Sequence, residues 1–200
     1  MKKILITGAK GFVGSFLTKS LNYEIHSSTD DILNIDRLDK TFQYIEPDYV
    51  IHLAAKVDNK RQESYLQINF LGMINIIKMC LKYKCKLINF STDCGDKFND
   101  VDSYGYSKSL AEEAVKFFVK NNNLLAITIK PSHLYDSNEK DRFGEDAQVW
   151  KGRSYPLTKL SLLLEDIINK HNFNKYRVFE TRGLKERYSN IKFKLRSLIK

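Results

Sequence analysis

Three glycines near the amino terminus constrain the fold of this 200-residue chain more than any other feature. Gly8, Gly11 and Gly14 follow the apolar run Ile4–Ile6 and precede a segment with helical periodicity. A strand that turns through glycines into a helix is typical of the start of an alternating α/β chain. Small residues let the backbone turn tightly and approach an anion, while the helix N-terminus directs its amides towards that anion. The loop therefore predicts a phosphate-binding turn at the edge of a parallel sheet.

The rest of the chain alternates between short apolar runs and helical patterns, which indicates a doubly wound parallel sheet of the Rossmann type. The predicted strands are Lys3–Thr7, Glu24–Ser27, Tyr49–Leu53, Lys86–Phe90, Leu124–Lys130 and Tyr176–Glu180. The predicted helices are Gly11–Leu21, Asp36–Tyr44, Ser64–Tyr83 (with Leu66, Phe70, Met73, Ile77 and Leu81 near one face), Tyr104–Lys120 and Thr158–Lys170. Residues 132–156 show no clear period. Because no linker is visible, we expect one domain over 1–200, with 132–200 as a small extension that binds substrate or a partner.

Composition limits the cellular setting. No stretch approaches the ~20 apolar residues of a membrane span, and the apolar run after Lys2-Lys3 is too short for the core of a signal peptide. Cys80, Cys85 and Cys94 are odd in number and lack metal-ligand spacing. These features predict a cytoplasmic protein without a metal site.

The net charge of +9 is concentrated near the carboxyl terminus. The basic residues there are Arg182, Lys185, Arg187, Lys192, Lys194, Arg196 and Lys200, against one acid, Glu186. The ordinary interpretation is a solvated helix or tail, and the alternative is a surface for an anionic partner such as a membrane or nucleic acid. We expect no nucleic-acid partner.

Several motifs in order make residues 1–135 resemble the extended short-chain dehydrogenase/reductase family, in its sugar-nucleotide epimerase, dehydratase and reductase branches. The motifs are Thr7-Gly8-x-x-Gly11-x-x-Gly14, Asp31-Ile32, Val50-Ile51-His52-Leu53-Ala54-Ala55-Lys56-Val57, Asn69-x-x-Gly72, Phe90-Ser91-Thr92-Asp93, Tyr104-Gly105-Tyr106-Ser107-Lys108 and Pro131-Ser132-x-Leu134-Tyr135. Ser91-Thr92-Asp93 is similar to dTDP-4-dehydrorhamnose reductases, whereas the stretch 31–57 looks more like GDP-fucose synthases. Both comparisons imply reduction of a 4-keto sugar nucleotide.

The resemblance implies a nicotinamide dinucleotide, with adenine at Asp31 and Ile32 and the nicotinamide ribose beside Leu53–Ala55. The cofactor-binding residues it implies are Gly8, Lys10, Gly11, Phe12, Val13, Gly14, Asp31, Ile32, Leu53, Ala54, Ala55, Asn69, Ser91, Tyr104, Lys108, Pro131 and Leu134. Asn69 is expected to brace the helix that carries the site, although packing or capping would also explain it.

The end of the second strand bears on the choice between NAD and NADP. An acid there holds the 2′-hydroxyl of NAD, while a basic residue accommodates the phosphate of NADP. The strand ends at Ser27-Ser28-Thr29 without an acid, and Lys10 lies in the glycine loop, which favours NADP. Asp30 would reverse this preference if the strand runs further than predicted.

Tyr104 and Lys108 form the predicted catalytic pair. Residues four apart project from one face of a helix, and an ammonium beside a phenol favours the phenolate and brings its pKa nearer neutrality. The family resemblance adds Thr92 as the hydroxyl that polarises a substrate carbonyl, with Ser91 as the alternative. Either hydroxyl would also suit a simple strand end.

Three departures from the family pattern concern substrate binding. Only 11 residues separate Thr92 from Tyr104, where the sugar-nucleotide branches carry a longer segment. Asp136 replaces the usual glycine, and the C-terminal substrate region is reduced. The cationic residues that would meet a diphosphate, or else are ordinary surface charge, are Arg142, Lys151 and Arg153. The resemblance implies a homodimer that pairs through the helices Ser64–Tyr83 and Tyr104–Lys120.

Three functions remain open from the sequence. The preferred hypothesis is a reductase of a keto sugar nucleotide in polysaccharide or glycoconjugate synthesis. An epimerase or dehydratase would need a further acid or base, for which Asp93, Cys94 and Asp96 are weak candidates. A non-catalytic NAD(P)-binding module is the third hypothesis, and the intact Tyr104/Lys108 pair argues against it.

Overall fold

The computed structural model describes residues 1–57, 65–93, 103–150 and 154–181. The basic segment 182–200, together with Lys151, Arg153, Cys94 and Asp96, lies outside the described residues. In the described part no helix is both long and apolar enough to cross a membrane.

The described chain forms eight strands and five α-helices. The strands are β1 (Lys3–Thr7), β2 (Glu24–Ser28), β3 (Tyr49–His52), β4 (Lys86–Phe90), β5 (Ala126–Lys130), β6 (His133–Tyr135), β7 (Ser154–Pro156) and β8 (Val178–Glu180). The helices are α1 (Phe12–Ser20), α2 (Ile35–Ile45), α3 (Gly72–Tyr83), α4 (Ser103–Asn122) and α5 (Leu157–Lys170), with a π-helical segment at Leu66–Leu71 and a 3₁₀ turn at Ala147–Trp150.

The main sheet has six strands in the order β2-β1-β3-β4-β5-β8, and all its pairings are parallel. This confirms the predicted doubly wound parallel sheet. The chain leaves β1 towards β2 on one side and returns to β3 on the other, so the direction of winding reverses between β1 and β3. A crevice opens at the carboxyl ends of the strands at such a reversal, and ligands of open α/β sheets bind there.

Two apolar layers cover the sheet, because alternate residues of each buried strand point to opposite faces. Ile4 and Ile6 of β1 pack in the layer that contains α1 and α5. Leu5 of the same strand packs in the layer that contains α2, α3 and α4. The predicted site on α4 therefore lies on the second face.

The helix predicted from Ser64 to Tyr83 differs from the structure in its first half. Residues Leu66–Leu71 are π-helical, and Leu66, predicted on the buried face, is 43% exposed. The wider turn of a π-helix changes which side chains face the core. Asn69 is 2% exposed as a result, and the apolar face begins at Met73.

Residues 132–156 contain structure that the sequence did not predict. β6 and β7 pair in parallel as a separate two-stranded sheet, joined by a loop that includes the 3₁₀ turn. Each strand has three residues, which is too short to give a readable period. This small sheet follows directly from the carboxyl end of β5.

Candidate active site at the carboxyl edge of the sheet

Gly8 lies at the winding reversal, where β1 ends against the end of β3. Its φ of +68° is a conformation that side-chain-bearing residues rarely adopt. A β-carbon built on Gly8 would lie 2.6 Å from the backbone nitrogen of Ala54 and 2.8 Å from the carbonyl carbon of Leu53. Glycine is therefore required twice over, by the turn and by the close approach of the two chain segments.

Gly11 and Gly14 complete the turn into α1. The Gly11 amide donates to the Gly8 carbonyl at 2.9 Å, and Gly11 is the N-cap of α1. A β-carbon on Gly14 would lie 2.7 Å from the Cα of Ala9, so glycine lets the helix pack directly on the loop. The glycine loop thus brings the N-terminus of α1 to the crevice, as the sequence predicts.

The N-terminus of α1 differs from that of α2 in its capping. No side chain caps α1, and its first turn, which includes Phe12 and Val13, contains no acid. In α2 the Asn34 side chain accepts from the Arg37 amide at 3.0 Å, and Asp36 lies in the first turn. The first amides of a helix lack intrahelical partners, so the uncapped end of α1 is suited to an anionic group. Lys10, exposed in the same loop, adds a positive charge.

The residues predicted to meet adenine follow β2. Asp31 is exposed, and its carboxylate accepts from the Leu33 amide at 2.9 Å. Ile32 is buried, and a β-carbon on Gly72 would lie 2.8 Å from its Cγ1 atom. Ile32 thus packs on α3, while Asp31 shapes the turn that carries it.

Strand β2 runs one residue further than predicted, to Ser28, so Asp30 lies two residues past its end. The Asp30 carboxylate accepts from the Thr41 hydroxyl at 2.6 Å and lies 3.6 Å from the Arg37 guanidinium. The edge near β2 therefore presents both an acid and a cation. From the sequence, an acid near the end of β2 is the feature that would favour NAD over NADP.

Asn69 connects the segment after β3 to the helix that carries the predicted catalytic pair. Its side chain accepts from the Lys56 amide at 2.8 Å and donates to the Lys56 carbonyl at 3.1 Å. It also donates to the Ser107 hydroxyl at 2.9 Å, which in turn donates to the Tyr104 carbonyl at 2.7 Å. The geometry fits the predicted bracing role, because one buried amide links Lys56, the residue after Leu53–Ala55, to α4.

The two hydroxyls at the end of β4 have different surroundings. Ser91 donates to the Glu112 carboxylate of α4 at 2.8 Å, so its proton is already engaged. Thr92 is 8% exposed at the following position. Both residues are buried at the carboxyl edge of the sheet.

Tyr104 and Lys108 lie one turn apart near the start of α4. Tyr104 is half-buried, and its ring packs edge-on against that of Tyr65, with centroids 6.2 Å apart. Lys108 is 4% exposed. Burial lowers the pKa of Lys108 to about 8, against the charge of Glu112, which raises it. Lys108 is therefore a buried cation beside the crevice.

His52, the last residue of β3, is a site neighbour that the sequence did not single out. It is 1% exposed, and its Nδ1 lies 2.7 Å from the Thr7 hydroxyl. Burial, together with the charge of Lys108, lowers its pKa to about 3. The imidazole is consequently neutral under Lys108. Its place inside the motif before Leu53 is visible in the sequence, but its electrostatic interaction with Lys108 of α4 depends on the fold.

The region after β5 supplies the remaining predicted residues. Pro131 and Leu134 are partly buried, and Leu134 packs against the layer that contains α1 and α5. Asp136, at the position where the family has glycine, accepts from the amides of Asn138 and Lys140 at 2.8 and 3.0 Å. Asp136 thus stabilises the turn between β6 and the following loop.

These features define a class of protein. A doubly wound α/β fold with a glycine turn, an uncapped helix N-terminus and a buried lysine at the winding reversal fits a dinucleotide. A pyrophosphate would meet amides and no acidic residue in the first turn of α1. Glycine at positions 8 and 14 leaves room for backbone contact that a β-carbon would fill.

Residues 4–151 match the NAD-dependent epimerase/dehydratase family, and the chain belongs to it. This confirms the family resemblance that the sequence motifs carry. Members of this family use a nicotinamide cofactor.

Two curated relatives show how much of a longer protein this chain matches. UDP-glucose 4-epimerase of Vibrio cholerae is 26% identical over 209 residues, covering 86% of this chain and 64% of the relative. Sterol-4-alpha-carboxylate 3-dehydrogenase erg26 of Schizosaccharomyces pombe is 28% identical over 120 residues, covering 50% of this chain and 35% of the relative. The chain therefore spans less than two thirds of the length of these relatives.

Solved structures share the fold at low sequence identity. dTDP-4-dehydrorhamnose reductase from Bacillus anthracis, in complex with NADP, has a TM-score of 0.73 and 23% identity, covering 91% of this chain and 75% of that chain. UDP-glucose 4-epimerase from Thermus thermophilus, in complex with NAD, has a TM-score of 0.71 and 16% identity, covering 90% and 77%. These likenesses confirm the Rossmann-like architecture.

Proposed function

We propose that this chain binds a nicotinamide dinucleotide and reduces a keto group of a nucleotide-activated sugar, in polysaccharide or glycoconjugate synthesis. The observation that carries this proposal is the buried Lys108 one helical turn from Tyr104, beside the crevice that the glycine loop opens. A buried ammonium is costly to a fold, and such groups are concentrated at functional sites. The names of two relatives, UDP-glucose 4-epimerase and dTDP-4-dehydrorhamnose reductase, support nucleotide sugars as the substrates to test.

In this proposal the amides of Phe12 and Val13 hold the pyrophosphate, and Leu53–Ala55 form a wall beside the nicotinamide ribose. Lys108 would donate a hydrogen bond to that ribose. The chemistry that a nicotinamide would supply here, when bound, is a hydride for the carbonyl carbon of the sugar. Tyr104 donates its phenolic proton to the carbonyl oxygen, which becomes the hydroxyl of the product, and the charge on Lys108 favours the phenolate that remains.

Thr92 has the role of polarising the carbonyl. Its hydroxyl would donate to the carbonyl oxygen as negative charge develops there, which stabilises the transition state more than the ground state. Its position just after β4, at the carboxyl edge of the sheet, supports this assignment. Asn69 keeps α4 and the segment after β3 at a fixed separation while the proton moves.

The proposal takes NADP as the cofactor, with NAD as the alternative. Lys10 and the exposed Arg37 offer cations for a 2′-phosphate, whereas Asp30 offers a carboxylate for a 2′-hydroxyl. Parallel titrations with NADPH and NADH decide between the two. An Asp30→Asn variant would improve NADPH binding relative to NADH if the carboxylate faces the ribose.

A homodimer is also part of the proposal. Apolar side chains on the π-helical segment and on α4 are exposed to solvent: Leu66 at 43%, Leu71 at 50% and Phe117 at 58%. Pairing of two copies through these helices would cover them. Analytical ultracentrifugation tests this, because a Phe117→Lys variant would shift the protein towards monomer.

The experiment that tests the activity uses a panel of 4-keto-6-deoxy sugar nucleotides with NADPH or NADH, followed by absorbance at the reduced-nicotinamide band. Stoichiometric loss of absorbance with one substrate supports reduction. Conversion of a sugar nucleotide without net loss indicates an epimerase or dehydratase, which the Vibrio cholerae relative makes the second candidate. Dinucleotide binding without turnover over the whole panel would favour a binding module.

A further inference from the structure

Glu112 lies on α4 one turn beyond Lys108 and is the meeting point of four structural elements. Its Oε2 atom accepts from the hydroxyl of Ser91, just after β4, at 2.8 Å and lies 3.3 Å from the Lys130 ammonium of β5. Its Oε1 atom lies 3.5 Å from the Tyr176 hydroxyl, just before β8. The side chains of Glu112 and Lys130 are 13% and 11% exposed, so this is a shielded cluster rather than a surface ion pair.

The position of Glu112 relative to Lys108 gives the cluster a second consequence. Side chains four residues apart on a helix are neighbours, so Glu112 and Lys108 share one face of α4. In a shielded setting two charges interact more strongly than they do in water. The burial that disfavours the Lys108 cation is therefore opposed by one nearby anion, and that anion is fixed in place by Ser91 and Lys130.

We propose that Glu112 is a positioning residue of the site: its carboxylate keeps Lys108 in the ammonium form and holds the Ser91 hydroxyl away from the substrate. The catalytic meaning of this role rests on the proposed reductase function, whereas the effect on Lys108 belongs to the folded protein itself. Glu112 does not contact the reacting atoms. It acts through Lys108, whose charge Tyr104 requires.

The charged and titratable groups around Lys108 come from each element packed near it. His52 of β3 is neutral and contributes no opposing charge. Lys130 of β5 lies 3.3 Å from the Glu112 carboxylate and competes for it. Burial raises the pKa of Tyr176, which keeps that phenol neutral. Glu112 is thus the anion in the described part that acts on the Lys108 ammonium.

The test measures the titration of Lys108 directly. The full chain, labelled with ¹³Cε-lysine and free of cofactor, is followed by NMR over pH 6–11, with Lys108→Arg used to assign the resonance. Wild-type Lys108 is expected to titrate near pH 8, well apart from ordinary lysines near ~10.4. In Glu112→Gln, which keeps the shape and the hydrogen-bond acceptor for Ser91, the midpoint is expected to fall by about one unit.

Glu113→Gln is the matched control. Glu113 is the next residue on the same helix, its side chain is 64% exposed, and it pairs with exposed Lys116 at 3.4 Å. The Glu113→Gln variant removes the same charge as Glu112→Gln. The Lys108 midpoint should nevertheless move by less than ~0.3 units, because solvent screens position 113. Equal shifts in the two variants would overturn the proposal, as would an unchanged midpoint in Glu112→Gln.

A second variant, for which the expected shift of the Lys108 midpoint has the opposite sign, keeps the proposal testable if Glu112→Gln does not fold. Lys130→Met removes the cation that competes for Glu112, so the Lys108 midpoint should rise by about half a unit. A fall or no change would contradict the proposal. With an active substrate from the panel, the alkaline limb of kcat/KM against pH should move in the same direction as the NMR midpoint in each variant.

The two proposals fail in different ways. If the wild-type chain binds no NADPH or NADH while the Lys108 shifts occur as expected, the reductase function is wrong and the electrostatic role of Glu112 stands. If the chain binds the dinucleotide and reduces a substrate while the Lys108 midpoint is unchanged in Glu112→Gln, the positioning role is wrong and the proposed function stands.

Discussion

Gly8 and Ala54 approach so closely that a β-carbon on Gly8 would lie 2.6 Å from the Ala54 backbone nitrogen. This contact joins the segment just after β1 to the segment just after β3, at the crevice. Because two backbone segments meet there, no side-chain adjustment can relieve an added atom. The geometry of the candidate cofactor site depends on this one glycine more than on any side chain.

Gly8→Ala is therefore expected to destabilise the fold and to abolish dinucleotide binding. The left-handed conformation costs about 1 kcal/mol for alanine, and displacing β1 from β3 adds to it, for a total of about 3 kcal/mol in the free energy of unfolding. Urea denaturation and a calorimetric NADPH titration measure the two effects.

The Gly144→Ala variant separates the cost of a left-handed backbone conformation from the cost of a close backbone approach. Gly144 also has a positive φ, +82°, but a β-carbon there would meet nothing within 4 Å. The Gly144→Ala variant should lose only about 1 kcal/mol in the free energy of unfolding, and its dinucleotide affinity should be unchanged. If both alanine variants behave alike, the close approach at Ala54 has no special importance.

Tyr104→Phe tests the proton donor. The variant lacks the phenolic hydroxyl but retains the ring that packs against Tyr65, so the fold should be preserved. Turnover should fall by at least ~10²-fold, because general acid catalysis contributes that much or more. Dinucleotide affinity should stay within a few-fold, and a collapse of binding would contradict the assigned role.

Lys108→Met should stabilise the protein while abolishing activity. Burial lowers the pKa of Lys108 from 10.5 to about 8, so below pH 8 the folded state holds a disfavoured charge. Linkage makes that cost about 3 kcal/mol, fully present below pH 8 and relieved as the pH rises towards 10.5. Unfolding of the variant at pH 7 and pH 10.5 should therefore show a gain that shrinks at the higher pH.

The control for that prediction is Lys116→Met on the exposed side of α4, where the lysine side chain is 57% exposed. Its free energy of unfolding should change little at either pH. A Lys108→Met protein less stable than wild type at pH 7 would mean that the buried ammonium is compensated by contacts other than those described.

His52→Gln should reduce the acid sensitivity of the fold. Burial and the charge of Lys108 lower the folded-state pKa of His52 from 6.5 to about 3. Below pH 6.5 the unfolded chain takes up a proton that the folded chain refuses, so stability falls as the pH falls through this window. At pH 4.5 the wild type should have lost about 3 kcal/mol of its free energy of unfolding through this residue, a loss that His52→Gln does not share.

Denaturation at pH 7 and pH 4.5 measures that effect as the difference between wild type and variant. His26→Gln serves as the control, since His26 is only partly buried and pairs with Glu24 at 2.9 Å. An equal pH dependence of wild type and His52→Gln would refute the burial argument.

The sequence predicts the scaffold well because periodicity and glycine chemistry are local properties. β1 and β4 have the predicted bounds, Lys3–Thr7 and Lys86–Phe90. Tyr104 and Lys108 lie on one helix, as their spacing requires. These outcomes depend on patterns within about twenty residues of chain.

Long-range features could not be predicted in the same way. The π-helical segment shifts Leu66 outwards, and no apolar pattern announces such a change in hydrogen bonding. The charge of Lys108 lowers the pKa of His52, and the Ser91 hydroxyl donates to the Glu112 carboxylate. Both interactions arise only because the sheet brings the ends of β3 and β4 close to α4. Both relationships join residues that are far apart in the sequence.

The uncapped start of α1 and the buried Lys108 are together proposed to hold a nicotinamide dinucleotide. Isothermal titration of the wild-type chain with NADPH and NADH, beside Gly8→Ala, tests this binding. We expect a one-to-one complex with at least one dinucleotide at micromolar concentrations, and its loss in the variant. Flat titrations of the folded wild-type protein with both dinucleotides up to millimolar concentrations would contradict it.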